Sequence, residues 1–139
     1  MAHVEGSIVI NRPADDVFDF VADQRNEPRY NPQMRRAEKI TEGPIGVGTL
    51  FRAETASWGR PVEMVIEVTI YEPPRRLEQS TTLSSMNLHG GLTFDSVPGG
   101  TRMRWSSELE PLGYGPSRTS QLTMAHLIPF RCQMAILRI

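Results

Sequence analysis

The side chains able to do acid–base or metal chemistry are few and widely separated in this sequence. His3, His89 and His126 lie far apart, and none has a second ligand at the spacing of a zinc site. Cys132 follows His126 at a distance that places the two on different faces of one helix. The Gly-rich run 43–48 joins two predicted strands instead of opening a helix, so it is typical of a turn. The sequence predicts no metal site and no cofactor.

His126 is the one group suited to a general acid–base role near neutral pH. It lies on a narrow polar stripe of a predicted helix, between apolar positions. One interpretation is that neighbouring groups satisfy the hydrogen bonds of this histidine, which then has a structural role. The other is a catalytic residue, with Tyr114 as a second catalytic group and Gln79 as a further hydrogen-bonding group that orients a substrate.

Four polar residues fall among apolar ones on the predicted buried sides of strands: Thr55, Gln79, Thr81 and Ser107. A buried polar group needs a partner, which is a protein group, water or a ligand. One interpretation is that neighbouring side chains and water supply these hydrogen-bond partners. The other is that these groups orient a mostly apolar ligand.

Composition indicates one soluble domain covering 1–139. The net charge is −1 and basic residues do not cluster beyond pairs, which argues against nucleic acid or a membrane surface as partner. The single cysteine excludes an internal disulfide. No signal peptide and no membrane span is recognisable, so we expect a cytoplasmic protein.

The pattern of apolar residues predicts one strand, two short helices, six strands and a long helix. The first strand covers 4–10 and the short helices 14–23 and 27–30, with Val17, Phe18 and Val21 buried. Residues 62–71 alternate most clearly, with Ile70 on the same side as Val68. The other strands are expected at 34–42, 48–55, 76–83, 86–95 and 101–109, as a meander.

The last stretch, 115–139, reads as a helix that is apolar around most of its circumference. Pro129 predicts a kink or break near 125–129. This helix is the apolar partner available to the sheet, which predicts an α+β fold. A second stripe on the helix is either cavity wall or a dimer surface: Leu127, Phe130, Met134 and Leu137.

A cavity between sheet and helix would be lined by inward-facing strand residues, a loop tryptophan and helix residues. These candidate ligand-binding residues are Phe51, Thr55, Trp58, Met64, Ile66, Gln79, Thr81, Leu92, Met103, Trp105, Ser107, Leu122, Ala125 and His126.

Four segments carry a resemblance to a known family: VINRP at 9–13, DVFDFVAD at 16–23, PRYNP at 28–32 and GPIGVGTLF at 43–51. They resemble the START/birch-pollen-allergen-like (SRPBCC) superfamily, in its polyketide cyclase/dehydrase or lipid-transport-like branch. The resemblance implies the helix-grip fold, in which a seven-stranded antiparallel sheet curls around a long C-terminal helix and two short helices follow strand 1. It also implies an apolar cavity between sheet and helix.

Three functions are compatible with these patterns. The first is binding of a small apolar or amphipathic ligand, lipid-like or polycyclic. The second is a polyketide cyclase or dehydratase that uses His126. The third is a dimerising interaction module without a ligand. Binding ranks first, because the sequence shows residues that could line an apolar cavity and no recognisable set of catalytic residues.

Overall fold

The computed structural model of the protein describes residues 2–29, 34–57, 60–83 and 86–111. These residues form seven strands, one α-helix and one 3-10 helix. The elements are, in chain order, β1 (Ala2–Ile10), α1 (Ala14–Ala22), a 3-10 helix (Gln24–Arg29), β2 (Met34–Lys39), β3 (Leu50–Ser57), β4 (Arg60–Glu72), β5 (Arg76–Thr82), β6 (Met86–Val97) and β7 (Gly100–Pro111).

All seven strands belong to one antiparallel sheet with the order β1-β7-β6-β5-β4-β3-β2. The meander predicted from β2 to β7 is confirmed, and β1 pairs with the last strand, β7. The α+β class and the seven-stranded antiparallel sheet are therefore confirmed. The predicted helix 115–139, its kink at Pro129 and its second apolar stripe lie outside the described residues.

Glycines fix the corner where β1, β6 and β7 meet. Val97 pairs with Gly100, which leaves a two-residue turn of Pro98 and Gly99 between β6 and β7. Gly99 and Gly100 have positive φ angles of 91° and 139°, which glycine adopts without strain. A Cβ on Gly100 would lie 2.0 Å from the carbonyl oxygen of Ile10, so only glycine allows the end of β1 to approach this closely.

The alternation along the strands separates a buried face from an exposed one. We call the side of the sheet that packs on α1 the inner face, and the opposite side the outer face. Phe51, Ala53, Met64, Ile66, Val68, Leu77, Phe94 and Met103 are buried on the inner face. The charged side chains Arg52, Glu63, Glu67 and Arg104 alternate with them and are exposed. The register predicted from the sequence is correct in these strands.

A bulge in β4 changes one predicted position. The pairing of β4 with β5 shifts between Val68 and Ile70. An extra residue in one strand reverses the sides of the residues that follow it. Tyr71, and not Ile70, therefore packs against the core, where its ring lies 5.3 Å from that of Phe18. The strict alternation predicted up to Ile70 was wrong at this one residue.

Helix α1 covers one end of the inner face. Val17, Phe18 and Val21 are buried, as predicted. The ring of Phe18 meets the rings of Tyr71 and Phe94 edge-on, at 5.3 and 5.2 Å, a favourable arrangement of aromatic quadrupoles. The second short helix is present as a 3-10 helix that begins earlier than expected, at Gln24. Neither helix in the described part of the chain has the length and apolar character needed to span a bilayer.

Candidate functional site

The strand residues predicted to line a cavity all lie on the inner face. Phe51, Thr55, Met64, Ile66 and Met103 are buried. Gln79, Thr81, Leu92, Trp105 and Ser107 are only partly buried. The remaining candidates lie outside the described residues: Trp58, Tyr114, Leu122, Ala125 and His126. The closed core at the α1 end of the inner face thus continues into a more open region on β5, β6 and β7.

The register places the polar candidates in one row across this open region. Val68 of β4 pairs with Gln79 of β5, Gln79 pairs with Gly90 of β6, and Gly90 pairs with Ser107 of β7. The row on one side of it holds Leu77, Leu92 and Trp105, and the row on the other side holds Thr81, Leu88 and Leu109. We call Gln79, Gly90 and Ser107 the polar row; it is enclosed by mostly apolar rows.

Gly90 is the position in the polar row that has no side chain. A Cβ at this position would lie 2.5 Å from Ser107 Oγ and 2.6 Å from the carbonyl oxygen of Ser106. The hydroxyl of Ser107 therefore lies over the glycine, towards the strand that carries Gln79. Gly90 was not among the residues predicted to line the cavity, although a glycine at an inward strand position is a signal of close backbone approach.

Two nitrogen atoms of the inner face are buried without a hydrogen-bond acceptor: Nε2 of Gln79 and Nε1 of Trp105. An amide or indole N–H removed from water without a partner raises the free energy of the folded state. The benzene ring of Trp105 lies flat over Gly6 of β1, with Cζ2 only 2.2 Å from the position of an ideal Cβ there. Gly6 thus positions the indole, and it is a second glycine that the sequence analysis missed.

On the inner face, the described side chains of β1, β5, β6 and β7, and of β4 from Val62 to Tyr71, carry no charge. They are apolar, hydroxyl-bearing or amide-bearing, and Tyr71 contributes a phenol. Burial, and to a lesser degree the charge of Asp19, raises the pKa of the Tyr71 phenol. Tyr71 therefore stays protonated at neutral pH and does not act as a base. Lys39, on β2, is held by hydrogen bonds to the carbonyl oxygens of Thr41 and Gly43.

The outer face carries a groove of about 870 Å³ over β5, β6, β7 and β1. Two of its charged side chains, Arg76 and Glu78, pair with each other at 2.5 Å, and a third, Glu5, lies 3.2 Å from the neighbouring His3. Exposed pairs of this kind are solvated and contribute little. Within the described ranges no group of three His, Cys, Asp or Glu residues is arranged to hold a metal ion. The inner face is the better candidate site.

Comparison with known protein families gives one match that covers most of the chain. The family model described as polyketide cyclase / dehydrase and lipid transport matches residues 1–129. This span includes the four segments that carry the resemblance in the sequence, and every described element of the fold.

Solved structures with the same fold have little sequence identity to this chain. The allergen Ara h 8.0201 superposes with a TM-score of 0.77 at 13% identity, covering 99% of both chains. A START superfamily protein from Mycobacterium smegmatis gives 0.76 at 12% identity, covering 96% of this chain and 93% of its own. The ZhuI aromatase/cyclase from Streptomyces sp. R1128 gives 0.71 at 17%, covering 99% and 89%. At these identities the similarity establishes the fold alone.

Proposed function

Because the chain belongs to the polyketide cyclase/dehydrase and lipid transport family, we propose that it binds a small, mostly apolar molecule against the inner face of the sheet. The family description covers both enzymes and carriers, so the choice between them rests on this chain's own residues.

The observation that supports the proposal is the composition of the inner face. Apolar rows surround the short polar row, and Gln79 and Ser107 of this row, like Leu92 beside it, are only partly buried. Ligand pockets combine a predominantly apolar lining with a few placed polar groups in this way. Fully buried residues such as Phe51 and Leu77 close the region towards α1, which gives such a pocket a rigid floor.

Cyclisation or dehydration of a polyketide is the second candidate, and it ranks lower. Such a reaction needs a group that moves protons, and the described inner face of β4 to β7 and β1 offers only Tyr71, whose pKa is raised by burial. The enzyme hypothesis therefore depends on His126 and Tyr114, outside the described residues. Under that hypothesis, His126→Ala abolishes turnover and leaves ligand binding intact.

The test of binding uses diphenylhexatriene, a hydrocarbon dye that fluoresces in apolar surroundings. Wild-type protein is expected to bind the dye with a saturable increase in fluorescence. Leu92→Gln, which places an amide in the open region, should weaken binding about tenfold, because one buried apolar side chain contributes on the order of 1.5 kcal/mol or more. Native mass spectrometry of freshly purified protein should also show a bound apolar molecule.

Thr93→Gln is the matched control. Thr93 is the next residue of β6, it is exposed, and it lies on the outer face. The same new side chain one position along the strand should leave dye binding unchanged. Equal loss of binding in the two variants, or a wild-type protein that binds no dye and purifies empty, would contradict the proposed function.

A further inference from the structure

The two unpartnered donors of the inner face identify the chemistry of the ligand. Resting on the proposed function, we infer that Gln79 and Trp105 select an uncharged ligand that carries two carbonyl-type oxygen atoms on an apolar frame. Each donor would be satisfied by one oxygen of the ligand.

Neither donor has a hydrogen-bond acceptor, although both are buried and a polar residue lies near one of them. Nε2 of Gln79 and Nε1 of Trp105 are both inaccessible to solvent and have no acceptor. Folded proteins pair nearly all such groups, and an exception needs a reason. Ser107 lies in the same row as Gln79, but its hydroxyl is drawn over Gly90 and does not accept a hydrogen bond from the amide. A ligand acceptor would supply the missing partner for both atoms once the two side chains turn towards it.

The charge of the ligand follows from its neighbours. Both donors are neutral, and Leu77 and Leu92 lie beside them on the inner face. Around the two donors, the described inner face of β5, β6, β7 and β1, and of β4 from Val62 to Tyr71, holds no arginine, lysine or histidine. A carboxylate placed there would lose its hydration without gaining a counter-charge. A ketone, quinone or lactone oxygen accepts the same hydrogen bonds at a much smaller desolvation penalty.

The separation of the donors sets the distance between the two oxygens. Gln79 and Trp105 are two strands apart and in adjacent rows. Strand spacing and rise place their Cα atoms about 12 Å apart. The indole also leans towards β1, over Gly6. A molecule of several fused rings with an oxygen at each end can reach both side chains across this spacing.

Competition against diphenylhexatriene tests the inference with three probes. Androstenedione has a rigid apolar frame with a ketone at each end, androstane is the corresponding hydrocarbon, and myristate is an apolar chain with a carboxylate. The diketone is expected to displace the dye about a hundredfold more effectively than androstane, which corresponds to about tenfold for each donor. Myristate should compete no better than androstane.

Two substitutions remove the donors one at a time. Gln79→Met keeps the length of the side chain, and Trp105→Phe keeps a ring over Gly6. Each should reduce the ratio of diketone affinity to androstane affinity about tenfold, and this ratio, measured within each variant, corrects for any change in apolar contact. Ser80→Ala and Ser106→Ala are the controls, since they neighbour the two sites on the same strands and face outward. Neither control should alter the preference.

The outcomes separate this inference from the proposed function. Dye binding without preference for the diketone, or a preference that survives both substitutions, overturns the inference alone. Stronger competition by myristate than by the diketone also overturns it. A wild-type protein that binds neither the dye nor the diketone overturns the proposed function, and the inference with it.

Discussion

Substitution of Gly6 by alanine tests the packing that positions Trp105. The new Cβ would lie 2.2, 2.7 and 2.8 Å from three carbon atoms of the indole, whereas carbon atoms in contact are normally about 3.5–4.0 Å apart. The ring must therefore move by about 1 Å or more. Overpacking of this kind typically costs about 1–3 kcal/mol. We expect about 2 kcal/mol, or a decrease in Tm of roughly 8 °C for a chain of this length.

Urea and thermal unfolding monitored by circular dichroism measure this effect. Gly46→Ala is the control, because a Cβ at Gly46 meets nothing within 4 Å, and it should change the free energy of unfolding by less than about 0.5 kcal/mol. The decisive comparison repeats Gly6→Ala in a Trp105→Leu background. Most of the destabilisation should disappear there, because the bulky ring is gone. A penalty of the same size in both backgrounds would refute the reasoning.

Two further predictions concern the hydrogen bonds around α1. Thr101→Val removes the 2.7 Å bond from a fully buried hydroxyl to the carbonyl oxygen of Arg12 and should cost about 1–2 kcal/mol in urea unfolding; a change below about 0.5 kcal/mol would contradict this. Burial alone would raise the pKa of Asp23, but hydrogen bonds from the side chain and backbone of Arg25 outweigh it and hold the pKa below its ordinary value. A lowered folded-state pKa stabilises the protein above the unfolded pKa of about 4, so Asp23→Asn should destabilise it at pH 7. The difference should vanish as the pH falls through the lowered pKa, and a difference independent of pH would exclude this role.

Most of the fold could be predicted from alternation and turn residues. Strand 62–71, for example, alternates between apolar and charged positions, and a half-buried strand has to present these to opposite faces. The sides occupied by Gln79 and Ser107 followed from the same argument, because a slip of one residue would have buried Arg52, Glu63 and Arg104. The inward position of the polar candidates could therefore be predicted from the sequence, and it is confirmed.

The exceptions are local events that periodicity does not encode. The bulge after Val68 brings Tyr71 into the core, yet nothing in the alternation marks where an extra residue will be inserted. Gly6 and Gly90 were not predicted as site residues, because a glycine has no side chain of its own with which to contact a ligand. Their role appears only when the neighbouring strand supplies Trp105 or Ser107.

The sequence by itself determined the α+β class, the antiparallel meander and, outside the bulge in β4, the face on which the strand residues lie, because these depend on spacing along the chain. Tertiary structure decided the pairing of β1 with β7, which joins the two ends of the described chain in one sheet. It also decided that the amide of Gln79 and the indole of Trp105 lack acceptors. Hydrogen bonding depends on distances of a few tenths of an ångström between residues far apart in sequence, so it becomes visible only when the strands are assembled.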